Sequence, residues 1–480
     1  VGPFWIVLAG CAGPTGDDPP DRDPTDGAAT DHTGPVTDGH TGGSSGGAHS
    51  APDTAISATC ALQPDNSLRV DCEVTVDPPQ AVEVRYRRAD GAGRERVRRS
   101  DAPADRHDLT LWYLSPDADH EIEVHPADGG APFVTVVRTG ALPAVADVVV
   151  QTEGTSSAAL FGSTSPCPGG AGIVWDPATR EVVWYQPFGG GPGGFLEGVS
   201  FSDEGTVLGL SAGAVTEVDL AGDRVRLLRQ GLELPLRAHH DVFRRAGLTY
   251  VLFQEVLPPD DVWIDGFYVF DAGGLLWEWH LADVVPPPQP QGRFGTDWSH
   301  ANAVWADASG DVYVSFRHLS AVVKVEGDPA DPAFGEIRWR LAGTADSPLG
   351  TDLSLDTGAG LPGFEQQHNA HVLDDGTLTL FDNRQGLERS RILDLAVDEA
   401  AGTATAVRWW DVPGELSGPG HCDFQGSAWR TAAGNPVATC APFRTGTEYD
   451  AVTGEVVWTG TLTCATGSGT YVPRFVPLEE

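Results

Sequence analysis

Three histidines and a glutamate hold the same place in a repeated pattern. Glu197-Gly-Val-Ser-Phe-Ser-Asp-Glu-Gly205-Thr-Val-Leu aligns without a gap on His368-Asn-Ala-His-Val-Leu-Asp-Asp-Gly376-Thr-Leu-Thr. His300-Ala-Asn-Ala-Val-Trp-Ala-Asp-Ala-Ser-Gly310 fits with two extra turn residues, and His240-Asp-Val-Phe-Arg-Arg-Ala-Gly247 with one fewer. A lone histidine is more often structural than catalytic, but a recurrence at one repeat position asks for a shared purpose. A neutral imidazole can attack, carry a proton or bind a metal near neutral pH. Arg317 ends the strand after His300, on the same inner side, and His318 beside it is expected to point away, since strand side chains alternate. Three histidines and a carboxylate could ligate zinc or iron. The nearby guanidinium argues for an anion instead, so neither metal nor cofactor is expected.

Something must bring these residues together, and the repeat supplies it. From about residue 143 an apolar strand, a turn and an apolar-Trp pair recur. Examples are Val174-Trp-Asp-Pro-Ala-Thr-Arg-Glu-Val-Val-Trp184, Val269-Phe-Asp-Ala-Gly-Gly-Leu-Leu-Trp277 and Tyr449-Asp-Ala-Val-Thr-Gly-Glu-Val-Val-Trp458. The preceding apolar strands are expected at 158–164, 207–212, 250–256, 312–317, 378–383 and 436–441. Six copies without helical periodicity read as a six-bladed β-propeller over 143–480. In that architecture equivalent inner positions converge on the central axis, so Glu197, His240, His300 and His368 face one small space. The fold class is all-β, as 59 Gly, 37 Pro and 14 Trp among 480 residues suggest.

Ahead of the propeller, residues 56–142 alternate as a small β-sandwich of immunoglobulin or fibronectin III type, for instance in Leu68-Arg-Val70-Asp-Cys72-Glu-Val74. Residues 12–55 carry almost no large apolar side chains and are expected to form a disordered tether. Residues 1–11 end in Leu8-Ala9-Gly10-Cys11, which resembles a lipobox with Cys11 as the lipidated residue. The basic region of a signal peptide is missing from this stretch. The expected location is the cell envelope, as a periplasmic or outer-membrane lipoprotein held only through its N-terminal lipid. Six further cysteines fit disulfides in such a compartment. Cys60 with Cys72 lies in the small domain, Cys422 with Cys440 flanks a hairpin turn, and Cys167 with Cys464 would join the first and last blades. A formal charge of −38 speaks against a nucleic-acid partner.

Several motifs together resemble the bacterial arylsulfate sulfotransferase family. They are Asp297-Trp-Ser-His300-Ala-Asn302, Val314-Ser-Phe-Arg317-His-Leu-Ser320, Gln367-His368-Asn-Ala, Leu380-Phe-Asp382-Asn383 and Gly426-Ser-Ala-Trp-Arg, with His239-His240-Asp241 similar to a paired-His motif. The resemblance spans roughly residues 143–480. It implies a six-bladed propeller behind a small β domain, and transfer of a sulfuryl group between phenols without a nucleotide donor. It implies His368 as nucleophile, with His300, Arg317 and one of His239 and His240 around the sulfate; the repeat favours His240. Glu197, His239, Asn302 and Trp298 are expected to bind substrate, Trp298 by stacking on the aryl ring. The partners implied are a small aryl sulfate and a phenolic acceptor, and the sequence is compatible with a homodimer. Asn369 stands where many relatives have Asp or Thr, and 283–293 is rich in proline.

Other functions stay open from sequence. A binding propeller without chemistry would not need converging histidines. Ala451-Val-Thr-Gly-Glu-Val-Val-Trp458 resembles the tryptophan-docking motif of quinoprotein dehydrogenases, but only this copy fits. An aryl sulfatase would use the same nucleophile with water as acceptor.

Overall fold

In the computed structural model, residues 54–189, 196–211, 213–285, 296–358, 362–384, 389–413 and 422–479 are described. The lipobox, all but the last two residues of the tether and most of the proline-rich segment lie outside them. Among the described residues the regular structure is almost all strand, with one helical turn at Leu281–Val284 and a 3-10 turn at Ala441–Phe443. No helix among them is long and apolar enough to cross a membrane.

The N-terminal part forms two antiparallel sheets. One holds Ala55–Gln63, Asn66–Gln80 and Ala104–Leu111; the other holds Arg96–Arg99, Val82–Arg88, Asp119–Pro126 and Phe133–Arg138. Alternation decides what they bury. Val70, Cys72, Val74 and Val76 face Val82, Val84, Tyr86, Ile122 and Val124 in one core. Each such side chain contributes about 1.5–3 kcal/mol on leaving water.

Six further sheets follow along the chain. The second to fourth are simple antiparallel meanders that begin with the strands Leu196–Phe201, Arg237–Arg245 and Ala301–Ala306. The fifth begins with His368–Val372 and gains a short parallel edge strand, Ser354–Asp356. The sixth begins with Ser427–Arg430 and takes Val148–Gly154 at its edge. The first sheet is completed from far away, because Phe475–Leu478 pairs antiparallel with Leu160–Thr164.

The strands expected from the repeat are found at Leu160–Thr164, Thr206–Ser211, Leu248–Leu257, Val312–Phe316, Leu378–Asp382 and Pro436–Cys440. Hydrophobic clusters fill each gap between consecutive sheets, and another joins the sixth sheet to the first through Val437, Trp458, Phe161 and Phe475. Three tryptophans on outer strands, Trp279 among them rather than the repeat's Trp277, have a specific use. Trp184 Nε1 donates to Leu220 O at 2.9 Å, Trp279 Nε1 to Gly335 O at 2.9 Å and Trp339 Nε1 to Glu399 Oε1 at 3.0 Å. Each indole thus pins the outer edge of one sheet to a turn of the next.

Disulfides form between Cys60 and Cys72, Cys422 and Cys440, and Cys167 and Cys464. The last closes a loop of 297 residues and ties the first sheet to the sixth. Replacing Cys167 and Cys464 together by alanine is expected to cost about 2–5 kcal/mol of stability. Chemical denaturation of the oxidised protein measures this, and an unchanged midpoint would mean that strand pairing alone holds the ends.

Candidate active site

One cavity draws residues from four of the sheets and from the segments that lead into strands of the other two. Glu197 and Gly198, His240, Asn302, His368 and Asn369, Gln425 and Gly426, and Pro473 and Arg474 line it. Most lie where a first strand begins, so convergence follows from the repeat. His240, His300, Asn369 and Gln425 have φ of 59°, 49°, 50° and 51° at this level. Left-handed backbone in non-glycine residues is costly and gathers where function demands it. Gly426, with φ 103°, is required sterically, since a Cβ there would come within 2.6 Å of the Phe381 ring and 2.8 Å of Thr439 O.

His368 is fixed at both ring nitrogens. Asn383 Nδ2 donates to Cys422 O at 2.7 Å and to Gln425 O at 2.8 Å, which turns its Oδ1 towards His368 Nδ1 at 2.7 Å. An amide oxygen only accepts, so Nδ1 carries the proton and Nε2 keeps its lone pair. That lone pair accepts the Gln425 N–H at 3.2 Å. Burial first, then the Arg317 guanidinium, lowers the His368 pKa to about 3, against the Asn383 hydrogen bond. The folded value lies below the unfolded value of about 6.5. Acid therefore favours the unfolded chain, and the cost grows from about pH 6.5 down to about pH 3.

His239 and His240 divide their work. His239 is buried, with Nε2 2.9 Å from Asp265 Oδ1 and Nδ1 2.7 Å from His240 Nδ1. Burial opposes its charge, but the hydrogen bond and charge of Asp265 outweigh this and raise its pKa. His240 is held well below the ordinary range by burial, then by His239, His300, His368 and Arg317. The chain of hydrogen bonds therefore runs from His239 Nδ1–H to an unprotonated His240 Nδ1. This leaves the His240 proton on Nε2. His240 rather than His239 lines the cavity. Glu197 accepts the His240 backbone N–H at 3.1 Å and so holds the strained residue in place.

His300 pairs with Asp297, Nδ1 to Oδ2 at 2.6 Å, and its ring centre is 4.7 Å from that of His240. His318 departs from expectation. Its ring centre is 4.3 Å from that of His300, its Nδ1 donates to Asp297 O at 2.6 Å, and its Nε2 accepts from Arg317 at 2.7 Å. Alternation does not apply because the strand ends at Phe316 and residues 317–320 form a turn. Burial and His300 lower the His318 pKa to about 4 despite Asp297, so it accepts from the guanidinium as a neutral ring. Donor atoms of Asp297, His300 and His318 lie within 4.8 Å of one another, a spacing that could hold a cation. Both His318 nitrogens are already engaged, one by a guanidinium, so this set fits an anion site better than a metal site.

The remaining candidates separate. Asn302 donates Nδ2 to Gln367 O at 2.7 Å, and its buried Oδ1 has no hydrogen-bond partner among the described residues. Trp298 packs on the core formed by the third and fourth sheets and is not among the residues lining the cavity. Arg474, Asp241 and Asn383 were not singled out as site residues from sequence. Arg474 bonds Asp241 Oδ1 at 2.6 Å, and Asp241 Oδ2 accepts the Val304 N–H at 3.0 Å. The paired-His motif thus carries its own anchor in Asp241, while Arg474 lies outside any repeat copy.

The hydrogen bonds around His368 make a direct prediction. Asn383→Asp puts a carboxylate on Nδ1 and should raise the His368 pKa by roughly 2 units. NMR of isotope-labelled histidine across pH would read this, and an unmoved titration would count against the assigned tautomer.

Residues 178–414 match the family model described as Arylsulfotransferase (ASST). No curated protein matches the chain. Among solved structures, the chain is similar to a protein of unknown function from Bacteroides caccae, at 14% identity over 67% of this chain and 98% of that one, with a TM-score of 0.39. It is also similar to virginiamycin B lyase from Staphylococcus aureus, at 8% identity over 66% and 99% of the two chains, with a TM-score of 0.36. The match over 178–414 takes in His239, His240, Asp297, His300, Arg317, His368 and Asn383, and by it this part of the chain belongs to the arylsulfotransferase family.

Proposed function

We propose that this chain is a six-bladed propeller that moves a sulfuryl group from an aryl sulfate to a phenol through a sulfohistidine at His368, with no nucleotide donor. The observation that carries the reading is a neutral His368, held as the Nδ1–H tautomer by Asn383, that shares its cavity with His240 and feels the Arg317 guanidinium.

The sulfate of the ester would rest over the shared cavity, whose own volume is only ≈20 Å³. Arg317 lies close enough to lower the pKa of both His368 and His240 and would bind sulfate oxygens. His368 Nε2 gives up its long bond to the Gln425 N–H and attacks sulfur. The S–O bond to the aryl group breaks and the aryl oxygen leaves with the bonding pair. Such a transition state is loose, so positioning and charge stabilisation carry the rate. The leaving oxygen takes the proton on His240 Nε2, and His239 passes its Nδ1 proton to His240 Nδ1. Asp265, by favouring the charged form of His239, keeps that proton on the ring until it is transferred. The return half runs backwards: an incoming phenol loses its proton to the relay, its oxygen attacks sulfur, and the N–S bond breaks. Asn302 Oδ1 lacks a donor and suits the hydroxyl of that phenol. His300, oriented by Asp297, supports the sulfate from the other side. A lipid-anchored envelope location remains part of this proposal.

The full chain, given 4-nitrophenyl sulfate alone and then phenol, tests the reading by intact mass and product release. Donor alone should leave one sulfuryl adduct, absent in His368→Asn, and phenol should discharge it. Phenol-independent turnover would favour an aryl sulfatase; no adduct and no turnover would favour a binding propeller. Arg317→Lys should slow adduct formation by about 10²-fold while leaving its site unchanged. Because His368 is neutral above about pH 4, lowering the pH from about 7 to about 5 should not slow adduct formation through protonation of the nucleophile.

A further inference from the structure

The opposite end of the same first strands carries a second set of equivalent residues. Ser200 pairs with Leu208, Phe243 with Tyr250, Trp305 with Tyr313, His371 with Thr379 and Trp429 with Val437. Each partner stands three residues after the turn glycine that aligns the repeats, Gly205, Gly247, Gly310, Gly376 or Gly434. Four successive sheets therefore place rings at one level. Their centres are 4.0 Å apart for Phe243 and Trp305, 5.1 Å for Trp305 and His371, and 4.6 Å for His371 and Trp429. The second sheet breaks the arc, since its residue is the small Ser200.

Where the arc breaks lies a cavity of ≈180 Å³, walled by Phe201, Phe243, Trp305, Trp429 and Val476 beside Ser200. An apolar cavity of about 150 Å³ is known to hold one benzene ring. Its charged groups are not alike. Arg244 is matched by Glu204 at 2.8 Å and Glu217 at 3.1 Å, and Arg474 by Asp241 at 2.6 Å. Arg245 donates to the Ala306 carbonyl at 3.2 Å, while Asp203 and Asp374 stand exposed in the lining. The less exposed polar groups are donors and the carboxylates are solvated. A ring with one hydrogen-bond-accepting substituent suits such walls, stacking on the arc and turning its substituent towards Arg245 and Arg474.

We infer that this cavity is a second ligand site, for a single-ring aromatic of the phenol class, separate from the histidines. Arg474 borders both cavities, and its bond to Asp241 stands between them. The site does not depend on sulfuryl transfer.

The test uses 4-iodophenol on the full chain carrying His368→Asn, so that no reaction confuses binding. Anomalous diffraction from soaked crystals locates iodine, and calorimetry measures affinity in solution. Iodine between Phe243 and Trp429, with saturable binding, is the expected result. Ser200→Phe, which completes the arc, should weaken that binding at least tenfold while the rate of adduct formation in the otherwise unaltered chain stays within twofold. Trp429→Leu, which removes a wall without adding volume, should weaken binding similarly and guards against misfolding of the first variant. Iodine only beside the histidines, or affinities unchanged in both variants, would overturn the inference.

Discussion

The pairing of Phe475–Leu478 with Leu160–Thr164 is the contact on which the rest depends. Without it the first sheet lacks one strand, and the cluster around Phe161, Trp175, Trp458 and Phe475 loses a wall. Those four rings pack with centres 4.9–6.0 Å apart, from stacked to edge-on. Hydrophobic burial favours closure and the disulfide from Cys167 to Cys464 keeps the ends near each other. The same short segment delivers Pro473 and Arg474 to the central cavity. A single strand thus serves packing at one end and electrostatics at the other.

Several polar groups in the centre are tolerated because they are committed to partners. Asn383 satisfies one nitrogen of His368 and two carbonyls; Asp265 accepts from Ser299 and the Ala301 N–H and sits against His239; Asp241 accepts from Arg474 and two backbone N–H groups. Buried polar atoms left without partners typically cost about 1–3 kcal/mol each. The unpaired Asn302 Oδ1 is one exception, and Gln367 Oε1 and both amide atoms of Gln366 are others. The imidazoles are kept apart by environment: His368 and His240 are pushed towards neutrality, His239 towards charge. Chemically identical side chains are thereby given different protonation preferences.

Much of this arrangement was legible in the residues alone. The all-β class, the six strand positions and the convergence of Glu197, His240, His300 and His368 follow from period and alignment. So did the pairing of the cysteines, because hairpin spacing and repeat order leave few sensible partners. Three things were hidden for physical reasons. His318 enters the site because a turn, not a strand, carries it, and alternation says nothing about turns. Trp298 lies next to a site motif in sequence but packs its half-buried indole against the core, since an aromatic ring gains more there than in a polar channel. Arg474 could not be found by repetition, as the first sheet takes its last strand from outside the repeat order. The aromatic level escaped notice because attention to polar residues hides a recurrence of rings; the same glycine alignment contains both.

Strand exchange between the two ends also sets a timetable. Leu160–Thr164 leaves the ribosome long before its partner exists, by a stretch comparable to the 297 residues that separate Cys167 from Cys464. Until then five sheets can fold while the sixth pairing waits. The histidines would already be present, but Arg474 would not yet neutralise Asp241 or floor the cavity. The growing chain is therefore assembled around an unfinished centre, which one late pairing completes rather than each added residue.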